Sequence, residues 1–421
     1  MLADMQRARM LAWELPALGW DVEILTPHSS EVRQDALDVS CADFFPRHES
    51  IHEVRSMFRF VFELFGSHSS AWSTLWPMAN VGCALLKSGR FDLVYLSSTT
   101  FVYFLLGMYW KRKFEVPYIL DFHDPWVRIC GADEVRRSWK ESLLNRLAIL
   151  MERSAVLNAA GLVAVSPNYI STLQRRYEMS NPGWLAPNRH AVIPFGALGA
   201  DLLEAGRTAR IREKSATDEL IVNYVGAGGP IMLRSFSLIC RSLAYLRTQG
   251  GPLVKRVRIR LYGTVYDWQF GERKHLEDAA QDAGVGELVS EHPGRVSYRR
   301  SLELLLESDG ALILGVDEPG YMPSKLFGYA LSGKPLLASL RRDGPAFAQF
   351  QGNHGLGHAI WIDHDGEMPL IEAAKAVDTF LQEIADRRIF DRRTDLEPYL
   401  ATAMARRHAN LFDTCLKTQR S

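Results

Sequence analysis

Short apolar runs recur along the chain, each followed by a stretch whose apolar residues fall at helical spacing. Residues 220–225 read LIVNYV, 118–121 YILD, 162–165 LVAV, 311–315 ALILG and 335–339 PLLAS. Runs with no polar alternation predict strands covered on both faces, the situation of a parallel sheet. Helical stretches follow at residues 101–110, 140–160, 167–177, 234–247, 275–283, 302–308 and 324–331. Further strands are expected at 21–26, 192–194, 258–262, 296–297 and 359–362. Strand and helix in alternation predict an α/β fold with helices on both faces of its sheets.

The alternation is interrupted once, by the charged stretch EAGRTARIREKSATDE at residues 204–219, and then restarts. The chain therefore reads as two Rossmann-like halves, and 421 residues suit two domains of ordinary size. The expected domains are residues 1–205, 206–385 and a C-terminal helical segment at 386–421. Residues 1–18 read as an amphipathic helix closed by Gly19, so either the first half lacks the usual opening strand and glycine loop or the assigned start falls after them.

Charge narrows the partners. Lys and Arg number 49, as do Asp and Glu, so no global field draws the chain to nucleic acid. Local basic clusters, among them Arg341-Arg342, read as solvated surface. Five cysteines (Cys41, Cys83, Cys130, Cys240 and Cys415) follow no metal-ligand spacing and predict reduced thiols in the cytoplasm. No signal peptide is expected. The uncharged run at 93–110 just reaches the length of a membrane span. The polar tetrad Ser97-Ser98-Thr99-Thr100 divides it into a strand at 93–96 and a helix at 101–110. Residues 54–76 are aromatic and partly basic, and read either as core helices or as a face lying on a bilayer.

Ligands of open α/β sheets bind beyond the carboxyl ends of strands. Three such loops carry chemistry. Asp121-Phe122-His123-Asp124-Pro125-Trp126 combines carboxylates, an imidazole and an indole, a mixture suited to proton transfer or sugar recognition, or else to a capped turn with a packed Trp. Val225-Gly226-Ala227-Gly228-Gly229 runs from a strand into a helix, the layout that offers backbone N–H groups to phosphate, although no complete dinucleotide or Walker motif is present. GYMPSKLFGYALSGKP at 320–335 places Ser324 and Lys325 at a helix start. A cation there, like Arg234 at the preceding helix start, opposes the helix dipole unless an anion lies between them. Asp363-His364-Asp365 has a metal-binding form, but its position beside Gly366 and Pro369 favours a turn.

These pieces, taken in order, resemble the GT-B glycosyltransferases, specifically glycosyltransferase family 4. LAWELPALGWDVEILTP, FDLVYLSS, VPYILDFHDPW, GLVAVSPNYISTL, VIPFGA, IVNYVGAGG, RLYGT, SDGALILG and PSKLFGYALSGKPLLA carry the likeness. The resemblance implies GT-B architecture, two Rossmann-like domains facing across a cleft, with the acceptor on the first domain and a nucleotide-sugar donor on the second. It implies sugar transfer with retention at the anomeric carbon and neither metal nor other cofactor. Arg234 and Lys325 fall where the family grips the donor diphosphate, with Ser324 beside Lys325. Gly226 and Gly228 would admit the substrates to the backbone, and Ser166, Pro167, Pro194 and Gly196 would lie on loops near the cleft. His123 falls on the family's strand-end histidine near the transferred sugar, with Asp124 next to it. Part of residues 386–421 would return to the first domain.

The departures matter as much. Gly320 and Gly328 stand where the family has two glutamates, the second of which binds the ribose; Asp317 or Glu318 could substitute. The leading expectation is a cytoplasmic, membrane-peripheral glycosyltransferase of surface-polysaccharide assembly acting on a glycan or lipid-linked acceptor. The glycines leave a non-catalytic GT-B partner subunit as the alternative, with a nucleotide-sugar epimerase behind it.

Overall fold

The structure is a computed structural model that describes residues 3–31, 51–57, 70–127, 139–211, 218–265, 273–351 and 355–420. Cys41, Cys130 and much of the 54–76 segment lie outside these residues. The described residues divide into two compact units, one holding those up to Pro194 together with those from Ala401 on, the other Phe195–Leu400.

The first unit begins with the helix Ala3–Glu14, a 3-10 turn Leu15–Leu18 and Gly19, whose φ of 84° closes the turn. Strands β1 (Ile24–Pro27) and β2 (Ile51–Val54) form a parallel pair. A second sheet follows in the order β3-β4-β5-β6, namely Val94–Ser97, Tyr118–Phe122, Gly161–Ala164 and His190–Val192, all parallel. Every residue of β4 and β5 is buried, as expected of strands between two helical layers. The run at 93–110 folds as β3, a 3-10 turn and the helix Phe104–Phe114. The expected cap is not formed: the Ser98 hydroxyl accepts from the N–H of Thr100 at 2.9 Å, but Thr100 and Tyr103, the N-caps of the 3-10 turn and the helix, make no side-chain cap hydrogen bond. Among the described residues no helix is long and apolar enough to cross a membrane. The last helix, Ala401–Arg420, packs in this unit, with Phe412 at 5.3 Å from both Trp20 and Tyr95.

In the second unit the strands are β7 (Leu220–Val225), β8 (Val257–Tyr262), β9 (Val289–His292), β10 (Gly310–Leu314), β11 (Leu336–Arg341), β12 (His358–Asp363) and β13 (Gly366–Glu367). Their order is β13-β12-β11-β10-β7-β8-β9, parallel except for β12 with β13. The strand expected at 296–297 is instead the start of the helix Tyr298–Glu307: Ser297 is its N-cap and accepts from the N–H of Arg300 at 3.1 Å. Asp363-His364-Asp365 forms the turn between β12 and β13. The core joins β7, β8 and β12 to Phe236, Ile239 and Leu243 on one helix and Val377, Phe380 and Leu381 on another.

The strand order fixes where a ligand can enter this unit. From β7 the chain builds outward through β8 and β9, then returns through β10 on the other side of β7. The crevice between the exits of β7 and β10 is thus the topological switch point of the sheet, the place where open α/β sheets bind their ligands.

Candidate functional site

Both loops at the switch point are loops singled out from the sequence. Beyond β7 comes Gly226-Ala227-Gly228, and beyond β10 come Asp317, Glu318, Ser324 and Lys325. Lys325 connects the two: its Nζ donates to the carbonyl of Val225, the last residue of β7, at 2.5 Å. The ammonium also lies over the Tyr224 ring, 4.3 Å from its centroid. It occupies the space a side chain at 226 would need, because an ideal Cβ there would overlap Nζ; the φ of 151° at Gly226 likewise disfavours any other residue. Burial pulls the amine of Lys325 down from 10.5 to about 7. It is the N-cap of the short helix Leu326–Leu331, while Ser324 before it is exposed.

The glycine turn differs from its expected use. The N–H of Gly226 donates to Tyr262 O at 2.9 Å and that of Gly228 to Thr264 O at 3.1 Å. Those amides hold the turn to the exit of β8 and are occupied. Gly228 is there because a Cβ would come within 2.9 Å of the Thr264 Cβ.

Arg234, the second residue of the helix Leu233–Thr248, also spans the switch point. It donates to Asp317 Oδ2 at 2.8 Å, to His364 O at 3.3 Å and to Gly366 O at 2.7 Å. Asp317 takes Arg341 on its other oxygen at 2.5 Å. The cation that looked misplaced therefore has local acceptors, and Arg341, expected to be solvated, is bound to Asp317 and Asp343. Glu318 lies in the same turn, its carbonyl accepting from Tyr321 N at 3.1 Å. Gly320 is buried, whereas nothing lies within 4 Å of where a Cβ on Gly328 would be.

The candidate residues of the first unit sit at the exit of β4. His123 is buried and its Nε2 is 2.6 Å from Oδ2 of Asp121. That oxygen also accepts from Tyr95 at 2.7 Å and Ser97 at 3.0 Å, and lies 3.1 Å from Nε of Arg7. Asp124 is exposed, so the carboxylate that meets the imidazole is Asp121. Parity explains this: along extended chain, residues two apart share a face and neighbours do not. That spacing was readable in the sequence; Arg7, Tyr95 and Ser97 carried no such signal. Burial by itself would raise the Asp121 carboxyl, but Arg7 and His123 override it and hold it well below the usual carboxylate range. Trp126 stacks on Phe101 at 5.6 Å and 12°, so one face of the indole is taken up by packing. Ser166 caps the helix Pro167–Tyr177, accepting from Asn168 N at 3.3 Å. Among the described residues no three His, Cys, Asp or Glu side chains gather as metal ligands, and Cys83, Cys240 and Cys415 are free thiols.

Residues 5–196 match the family model described as the glycosyl transferase 4-like domain. Sucrose-phosphate synthase from Thermosynechococcus elongatus aligns over 98% of this chain and 93% of its own at 14% identity, with a TM-score of 0.59. The chain has the GT-B fold of two Rossmann-like units. A glycosyltransferase from Rickettsia africae aligns with this GT-B chain over 98% and 95% of the two lengths at 13% identity and a TM-score of 0.55. Anabaena HepE, solved with UDP and glucose, covers 99% of this chain and 95% of its own at 12% identity and a TM-score of 0.54. No curated protein matches the sequence.

Proposed function

We propose that the chain is a retaining, metal-independent glycosyltransferase that moves a sugar from a nucleotide-sugar donor to a glycan or lipid-linked acceptor in surface-polysaccharide assembly. The observation that carries the reading is the ammonium of Lys325 at the switch point of the second unit, beside a turn whose Gly226 leaves room for it. A donor diphosphate placed there would meet a cation held in a partly dry setting, where stabilisation of the departing nucleotide is worth several kcal/mol. Ser324 would add a hydroxyl, and Gly226 and Gly228 shape the turn. Arg234 would contribute by exchanging Asp317 for phosphate, and Glu318 would serve the ribose. The first unit would take the acceptor, with His123 and Asp124 toward the transferred sugar.

Cytoplasmic location with a peripheral membrane contact belongs to the same reading. Trp72 and Trp76, one turn apart on the helix Ser70–Leu86, are exposed, as are Leu143, Leu144, Leu147 and Leu150 on the helix Trp139–Leu157. Apolar side chains of this kind beside Arg146 and Arg153 suit an anionic bilayer surface.

Calorimetric titration with UDP-, GDP- and ADP-sugars, followed by turnover with a chelator present and assignment of the product anomer, tests the proposal. Transfer with retention supports it, and no binding of any donor sinks it. Glycine at 320 and 328, where the resembled family has glutamates, favours one second reading, a GT-B partner subunit that does not transfer; donor binding without turnover would select it.

A further inference from the structure

Asp121 Oδ2 gathers three hydrogen bonds and an ion pair from three elements: Tyr95 and Ser97 on β3 and His123 just past its own strand bond to it, and Arg7 on the first helix pairs with it through Nε. Behind them stands His408 of the C-terminal helix. Its Nε2 is 3.4 Å from Nη1 of Arg7 and 3.2 Å from the Tyr95 hydroxyl. Its Nδ1 lies 2.8 Å from the carbonyl of Met404, which can only accept, so Nδ1 carries the proton and Nε2 presents a lone pair. Burial beside Arg7 keeps this imidazole neutral, pushing it down to about 3. Arg7 thus has an acceptor in His408, a second in Ile193 O at 2.8 Å, and the carboxylate at its Nε.

The protonation pattern at His123 follows. An ionised carboxylate accepts and cannot donate, so the imidazole nitrogen 2.6 Å from Oδ2 must be the donor. The hydroxyl proton of Ser97 goes to the same oxygen, leaving its Oγ, 3.1 Å from Nε2, as a second acceptor for that N–H. The geometry thus puts a proton on Nε2.

We propose that Asp121 is a positioning residue for His123. Its carboxylate fixes the ring orientation and keeps the proton on Nε2, and Arg7 with His408 makes the C-terminal helix part of the device. The proposal rests on the reading of His123 as a group of the transfer site.

The test uses the full chain labelled with 15N in its histidine rings, with the His123 signals assigned by their loss in His123→Gln. The wild-type ring is expected to carry its proton on Nε2, and Asp121→Asn to move it toward Nδ1. With whichever donor is turned over, kcat of Asp121→Asn is expected to fall about 10–100-fold while KM for the donor stays within about twofold. A wild-type ring protonated on Nδ1 alone, or a tautomer unchanged by Asp121→Asn, overturns the proposal. A changed tautomer with unchanged kcat upholds the positioning and overturns the assignment of His123 to transfer. Should Asp121→Asn fail to fold, the pair Arg7→Met/Asp121→Asn removes both buried charges and is read in the same way. His408→Leu takes an acceptor from Arg7 and is expected to shift the tautomer in the same sense by less; no shift removes the C-terminal helix from the device.

Discussion

The Nε2 of His123, one residue past the end of β4, stands 2.6 Å from Oδ2 of Asp121 within that strand. Both side chains are buried, and the carboxylate also meets Arg7 at 3.1 Å. Removing one member of such a cluster leaves the other charge in a dry setting. Asp121→Ala is expected to cost about 3–5 kcal/mol of stability, because Arg7 loses its counter-charge. Asp124→Ala, at an exposed position, is expected to stay within about 0.5 kcal/mol. Denaturant unfolding of the two variants checks both values, and equal costs would contradict the assignment of roles.

Acid should act on the same cluster. His408 titrates near 3 in the folded chain and near 6.5 when unfolded, so the unfolded state binds the additional proton between those values. Its contribution is present above about 6.5 and is lost as pH falls toward 3, at no more than about 1.4 kcal/mol per pH unit. Asp121, whose carboxyl is held low in the fold, loses stability in the same direction. Thermal melts from pH 7 to 4 should therefore fall more steeply for the wild type than for His408→Gln.

Lys325 carries the opposite sign. Its amine titrates near 7 in the fold against 10.5 in water, so the unfolded chain binds more protons between these values and stability rises with pH through that window. Lys325→Met is expected to raise the melting temperature below pH 7 and to change it little at pH 10, while donor binding weakens about tenfold or more. Wild-type donor affinity, for the same reason, should decline as pH rises above 7. Scanning calorimetry and titration across pH 6–10 read both effects, and a variant that binds donor like the wild type would remove Lys325 from the site.

Gly226→Ala puts a methyl group where the Lys325 ammonium lies, on backbone with a φ of 151°. Strain of about 1–3 kcal/mol is expected together with weaker donor binding. Gly228→Ala, packed against Thr264, is expected to destabilise without removing the cation. The ratio of affinity loss to stability loss separates the two variants.

Gly328 offers the reverse experiment. With no atom within 4 Å of an ideal Cβ, Gly328→Glu is expected to fold with a stability change within about 0.5 kcal/mol. If a ribose sits beside this helix, the added carboxylate tightens donor binding. Unchanged affinity would place the nucleoside elsewhere.

Much of the architecture was open to a reading of the sequence. The strand expected at 220–225 and the helix at 167–177 coincide with β7 and Pro167–Tyr177, because a mostly apolar run and a Ser-Pro cap are local signals. Local signals also misled: Val296-Ser297 resembled a strand and is a helix cap, while β2 (IHEV) and β9 (VSEH) were too short and polar to register. The identities at the β7 exit were legible too, but not their use. Amides expected to meet phosphate are bonded to Tyr262 and Thr264, and Arg234 is held by Asp317.

Sequence alone determined that this chain makes parallel α/β units, where their strands end, and that His123, Gly226 and Lys325 stand at those ends. Apolar periodicity and turn chemistry are properties of neighbours, and they fold the same way wherever they occur. Tertiary structure alone decided which charges are buried and with whom. Arg7 reads as one more cation on a helix until Asp121 and His408, 114 and 401 residues away, close around it. A charge enters a protein interior only when its partners arrive by folding, so such a cluster leaves no trace in local spacing.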